Sequence, residues 1–163
     1  MADDDDEHLN YDVKACAATD LNEEDRAACT AIIKSGEAVD LESATIELPR
    51  ATVIAVARRG KEIVGVGPIK RIRPGYASDK AYKSGVPFAP DTPELGYVAV
   101  DPAHQGKGLS HRIVVALLSK NGGPLFATTS IDSMKKTLVK AQFVQKGREW
   151  KGRLAPLSLW MRE

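Results

Sequence analysis

The sequence predicts a mixed α/β (α+β) domain, a sheet with helices on its faces, and three observations predict it. Strand-like and helix-like patterns alternate through the middle of the chain. Pairs of β-rich runs stand on either side of that middle. The segments ELGYVAV and LFATT are joined by one helix-bearing connection of about two dozen residues, the form a crossover between parallel neighbours takes.

Each element follows from its local pattern. YDVKACAA opens as a strand. Asp20 followed by Glu23 makes an Asp-started capping box for a helix over LNEEDRAACTAIIKSG, which stops at Gly36. VDLESATIEL gives a second helical piece before Pro49. ATVIAVARRGKEIVGVGPIKRI reads as two β-rich runs turned at Arg59, Gly60 and Lys61, a hairpin. From Arg73 to Pro93 the composition shifts to Pro, Gly, Ser and Tyr with no sustained period, and so long a stretch in a compact domain is functional or disordered. ELGYVAV is the next strand. GLSHRIVVALLSKN repeats apolar residues at 109, 113, 116 and 117 and stops at NGGP, so it is a helix, and LFATT is the strand after it. SMKKTLVKAQF places Met134, Leu138 and Ala141 on one face, another helix. The end, VQKGREWKGRLAPLSLWMRE, reads as two strands around a Gly/Pro turn.

A chain of 163 residues suits one domain with a proper core, and 43% apolar with 28% charged residues is ordinary for a globular protein. The division expected is an acidic tail over residues 1–9 and one domain over 10–163, carrying an insert at about 73–93. No stretch approaches 18 consecutive apolar residues, and MADDDDEHLN is acidic where a secretory signal is basic and then apolar. A cytoplasmic protein without a membrane partner is therefore expected. Cys16 and Cys29 lie in no CxxC or Cys/His cluster, which points to reduced thiols in or near the core and to no metal. Charge is unevenly distributed: residues 1–50 hold 14 acidic and 4 basic side chains, whereas the remainder holds 8 acidic and 19 basic. The basic excess reads either as scattered surface or as a face that meets an anion, a phosphate-bearing cofactor or a nucleic acid.

The turn AHQGKG stands at the carboxyl end of one strand, where α/β sheets bind ligands, and at the amino end of a helix, where backbone N–H groups attract anions. Gly106 and Gly108 let backbone approach a phosphate, and Lys107 adds charge. A P-loop is excluded because Asp101 and Gly108 stand where it needs Gly and Ser or Thr. A dinucleotide fingerprint is excluded because it needs Gly at His111. Two glycines at a helix start are otherwise compatible with turn chemistry alone.

QGKGLS resembles the Gln/Arg-x-x-Gly-x-Gly/Ala pyrophosphate signature of the GCN5-related N-acetyltransferases, through Gln105, Gly108 and Ser110, with Ser replacing the usual Gly or Ala. The preceding LGYVAVDPAHQ is similar to that superfamily's fourth strand and its V-x-P-x-x-Q exit, and the order of elements matches over about residues 10–163. The resemblance implies a mostly antiparallel mixed sheet with splayed parallel fourth and fifth strands and about four helices. It implies acetyl-CoA as acyl donor, its pantetheine arm along the main chain of Val98, Ala99 and Val100 and its pyrophosphate on backbone N–H groups of Gln105, Gly106, Lys107, Gly108, Leu109 and Ser110. The function implied is transfer of an acetyl group to an amine-bearing acceptor by direct attack in a ternary complex, with a homodimer left open.

Amine acylation needs a neutral amine, a stabilised oxyanion and a proton for the departing thiolate. Glu94 lies eleven residues before Gln105, the spacing at which the histone-modifying branch of the superfamily places its general base. A strand-end glutamate after Pro93 is the plain alternative. Ala99 or Val100 N–H is the nearest oxyanion donor. The family's Asn, Tyr and Gly-Phe positions fall on Ile131, Leu138 and Gln142-Phe143, so its tyrosine acid is absent. Either the thiolate leaves unassisted or another group protonates it, Ser133, Thr137 or Tyr97 for example. The insert leads straight into Glu94, with Tyr76, Tyr82 and Phe88 as candidates to roof an acceptor site and Lys70, Arg71 and Arg73 preceding it. Trp150 in GREWKGR either stacks on a base or anchors a strand. A CoA-binding or non-catalytic regulatory protein, using a basic face for nucleic acid, is the reading of a different class.

Overall fold

A computed structural model describes residues 10–35, 51–152 and 155–163. Strand β1 (Asp12–Ala17) precedes helix α1 (Glu23–Lys34), and the hairpin β2 (Ala51–Arg59) and β3 (Glu62–Lys70) follows. Gly60 supplies the left-handed turn of that hairpin at φ 61°. Cap chemistry differs from the sequence expectation, because the N-cap of α1 is Asn22, whose side chain accepts from Asp25 N at 2.8 Å, while Asp20 closes a short 3-10 turn. Two polar residues compete here for one role, and the one adjacent to the first helical turn takes it. The helical piece expected over VDLESATIEL and the stop at Gly36 lie outside the described residues.

The segment without a period contains a helix, α2 (Tyr76–Ser84), which corrects the reading of 73–93 as irregular. Gly75 and Gly85, both left-handed, bracket it. Asp79 pairs with Lys83 and Lys80, each at 3.1 Å, and the Lys83 ammonium bonded to it leads in holding its carboxyl below the ordinary range. A distant strand closes the helix's far end: Arg148 donates to the carbonyl oxygens of Lys83 and Tyr82 at 3.1 and 2.9 Å. Gly147 lets the strand come so near, since a Cβ there would collide with the Ser84 carbonyl oxygen. Tyr82, expected to roof a site, is 81% exposed, whereas Tyr76 and Phe88 pack on Phe126 with ring centroids 6.2 and 4.8 Å away.

Beyond the insert come β4 (Glu94–Leu95), β5 (Ala99–Val100), α3 (Leu109–Leu118), β6 (Leu125–Thr129), α4 (Asp132–Lys140), β7 (Val144–Trp150) and β8 (Leu157–Arg162). Among the described residues, eight strands form one sheet in the order β1-β2-β3-β4-β6-β8-β7, with β5 also on β3. The pairs are antiparallel except β4 with β6. Helix α1 covers one face through Cys29, Ile32 and Ile33, which join Ile54, Val56 and Val66. Helices α3 and α4 cover the other through Ile113, Val114, Leu117 and Leu138, all at 0% exposure. Burial of each such aliphatic side chain stabilises by roughly 1.5–3 kcal/mol. Neither cysteine is bonded; Cys29 is buried and Cys16 partly so. Trp150 ends β7 opposite Leu157 and is half-buried there.

ELGYVAV is not one continuous strand. Glu94 and Leu95 pair with Lys70 and Ile69, and Ala99 and Val100 with Val66 and Gly65. Between them Gly67 and Pro68 oppose three residues, Gly96, Tyr97 and Val98, which is a β-bulge. Pro68 explains it: proline has no N–H to give to the ladder, and in a sheet interior it is tolerated at bulges. Its carbonyl still accepts from Gly96 N at 2.8 Å.

Candidate active site

The bulge opens the site. β4 meets β6 only at Glu94 and Phe126, where Phe126 N donates to the Pro93 carbonyl at 3.2 Å. Past the bulge, β5 pairs among the described residues with β3 alone, so the parallel strands separate and leave the outer edge of β5 facing a gap. Backbone direction alternates along a strand. Asp101 N donates to Val64 O, on the β3 side, so the N–H and carbonyl of the preceding Val100 face the gap. Of the two oxyanion donors named from sequence, Val100 has this orientation.

A cleft of about 1080 Å³ runs along the gap. Lys70, Tyr76 and Glu94 line one end, residues 96–100 the middle, and Gln105, Gly106, Gly108, Leu109, Ser110 and His111 the other. Nine of the ten residues singled out from sequence thus share one wall; Lys107 is half-buried outside it. From the far side come Thr128, Thr129 and Ser130 of the β6 exit and Ser133, Met134, Thr137 and Lys140 of α4.

The turn is shaped by its glycines. Gly106 and Gly108 stand at φ 79° and 75°, conformations that cost other residues, and a Cβ on either would meet no atom within 4 Å. Gly108 is the N-cap of α3 and has no side chain to cap the first turn. Gln105 instead turns inward, donating from Nε2 to the Val100 carbonyl at 3.0 Å. Asp101 accepts from Ala103 N at 2.9 Å, which fixes the turn's entry. Beside it His104 Nδ1 lies 2.9 Å from the hydroxyl of Tyr11. His111 also lines the cleft, and its Nδ1 is buried without a hydrogen-bond partner among the described residues.

Glu94 is buried at 4% exposure, and its Oε1 lies 3.1 Å from Lys70 Nζ. Leu138 points into the core rather than the cleft, so the family tyrosine's position is structural here, while Ser133 and Thr137 one helical turn apart do face the cleft. Gln142 adopts φ 69°, the left-handed conformation in the place of the family's glycine. Sequence reasoning missed the Lys70 contact and the orphaned His111 nitrogen. Among the described residues no group of three His, Cys, Asp or Glu side chains could hold a metal ion, and no helix is long and apolar enough to cross a membrane.

The sequence profile of the acetyltransferase (GNAT) family matches residues 18–121, most of the chain and the whole of the turn. The chain belongs to the GNAT family. Solved structures agree at the level of fold. An acyl-CoA N-acyltransferase from Pseudomonas aeruginosa is 12% identical with a TM-score of 0.69, covering 94% of this chain and 99% of its own. Escherichia coli ElaA is 10% identical at 0.68, with the same coverage. YncA of Salmonella typhimurium, solved with its cofactor acetyl-CoA, is 17% identical at 0.63, covering 93% of this chain and 94% of its own. No curated protein matches the sequence. The GNAT family uses acetyl-CoA, and the residues here fit it: an uncapped glycine turn and an open strand edge line one cleft.

Proposed function

We propose that this GNAT protein is an N-acetyltransferase that passes an acetyl group from acetyl-CoA directly to an amine, with both held together and no covalent enzyme intermediate. The observation that carries the reading is the continuous cleft that joins the Gln105–Ser110 turn, the outer edge of β5 and Glu94. Acetyl-CoA, when bound, supplies an acetyl group activated as a thioester. Backbone N–H groups from Gln105 to Ser110 would hold its pyrophosphate at the start of α3, where the helix dipole favours negative charge. The main chain of Val98 to Val100 would hold the pantetheine arm as a neighbouring strand would be held. Val100 N–H is aimed at the gap and would stabilise charge that grows on the carbonyl oxygen. Glu94 takes a proton from the acceptor amine at its carboxylate, directly or through water. Ser133, Thr137 and Tyr97 bring hydroxyl groups to the cleft wall for the departing thiolate.

Thermal unfolding with and without acetyl-CoA, followed by thiol release against a panel of small, peptide and nucleic-acid-linked amines, tests the reading. At one hundred times its dissociation constant a ligand stabilises by about 2.7 kcal/mol. An unchanged melting temperature at millimolar acetyl-CoA overturns it. Stabilisation without thiol release from any amine, together with salt-sensitive retention on nucleic acid, identifies a binding protein on the same scaffold.

A further inference from the structure

Lys70 ends β3 directly opposite Glu94, the two residues being partners in the antiparallel register. Their side chains are 17% and 6% exposed, their charged atoms are 3.1 Å apart, and both line the cleft. Burial takes water away from a carboxylate's oxygens, and the Lys70 ammonium stands where a water would otherwise bond. Among the described residues that line the cleft, Glu94 is the single acid, and Lys70 is the cation in contact with it. Next to this pair Gly96 packs against Pro68, where a Cβ would stand 2.9 Å from Cγ, and the Lys70 stem passes at contact distance, 3.4 Å from the same position. Strand β6, on the other side of β4, is LFATT and brings no ionisable side chain. The other titratable groups lining this end are Tyr76, whose ring carries Lys80 Nζ 4.7 Å from its centroid, and Tyr97.

We infer that Lys70 is the positioning residue for the base: its ammonium holds Glu94 by Oε1 and so fixes where the carboxylate stands at the acceptor end of the cleft. The inference rests on the proposed acetyl transfer. In that step the C–N bond forms, the C–S bond breaks with its electron pair leaving on sulfur, and the amine proton goes to Glu94. Lys70 takes no part in these bond changes and acts through Glu94.

The test compares wild type, Lys70→Met, Lys70→Arg, Glu94→Gln and the Lys70→Met/Glu94→Gln double variant in the full chain. Steady-state kinetics use an amine that the wild type acetylates, and calorimetry measures acetyl-CoA binding. Lys70→Met should lower kcat by about tenfold or more with acetyl-CoA affinity within about twofold of wild type, because base assistance is lost while the pyrophosphate seat is untouched. Lys70→Arg, which keeps a cation, should recover most of the rate. In the Glu94→Gln background, adding Lys70→Met should change kcat by less than about twofold, since the two act as one unit. Unchanged turnover in Lys70→Met, no recovery by arginine, or losses that multiply in the double variant overturn the inference. Should Lys70→Met fail to bind acetyl-CoA, the double variant, which removes both buried charges, reports the fold, and Lys70→Gln against Lys70→Arg decides by the same criteria. A wild type that acetylates no amine overturns the proposed function and this role with it; an active wild type with an equally active Lys70→Met overturns this role alone.

Discussion

The side chain of Gln105 ties the turn to the open strand, its Nε2 donating a 3.0 Å hydrogen bond to the outward-facing carbonyl of Val100. One bond thus sets the spacing between the glycine turn and the edge of β5. A hydrogen bond of this kind contributes about 0.5–1.5 kcal/mol, and 1.4 kcal/mol is a tenfold change in affinity. Gln105→Ala should therefore weaken acetyl-CoA binding by about three- to tenfold in calorimetry while shifting the melting temperature little. An unchanged dissociation constant would show that the turn holds its place without this bond.

Gly108 separates charge from backbone strain. Its φ of 75° is costly for any other residue, by roughly 1–2 kcal/mol, although the space around it is open. Gly108→Ala should cost stability and weaken acetyl-CoA binding modestly. Gly108→Asp adds a carboxylate at the anion seat and should abolish the thermal shift with acetyl-CoA, with an unchanged circular-dichroism spectrum. Equal binding by the two variants would remove the pyrophosphate from this turn.

Glu94→Gln should keep acetyl-CoA affinity and lose turnover. General-base assistance is worth about 10² to 10⁴ in rate, so the fall should be at least tenfold near neutral pH. Raising the pH should partly restore the rate, because more of the amine is then already neutral, and the acidic limb of the pH-rate profile should be lost or displaced. Wild-type turnover with an unaltered limb would leave Glu94 a structural partner of Lys70.

Replacing Leu138 by the tyrosine common in the family should not supply an acid. Leu138 is fully buried with Phe143 and Ala141, so the larger, polar side chain overfills the core at a cost of about 1–3 kcal/mol. Leu138→Tyr should melt lower and turn over no faster. A faster enzyme would place this side chain in the cleft.

Burial pushes the Cys29 thiol up to about 11, with Asp25 adding to the effect. The unfolded chain then ionises this thiol near its ordinary value of 9.0 while the folded chain holds its proton, so the contribution is present below pH 9 and is lost as pH rises from 9 towards 11. Urea midpoints across that range should fall more steeply for wild type than for Cys29→Ala. Parallel curves would mean that the thiol ionises alike in both states.

What the sequence determined by itself was whatever a short window can express. The β2–β3 hairpin, the strand β6, the helices α3 and α4, and the common face of Met134, Leu138 and Ala141 follow from apolar periodicity, which records burial residue by residue. The turn was legible too, since Gly106 and Gly108 mark left-handed positions and Gln105 precedes them. Tertiary structure decided the rest, because those features depend on what stands opposite. Helix α2 is only nine residues long and is closed by Arg148, more than sixty residues away in sequence. The break in ELGYVAV comes from Pro68 on the neighbouring strand, which cannot donate to it. Whether Glu94 is an exposed strand end or a buried cleft residue was undecided in the sequence. Strand register settled it by setting Lys70 across from it, since a buried carboxylate needs a partner for its oxygens and here cross-strand pairing delivers one.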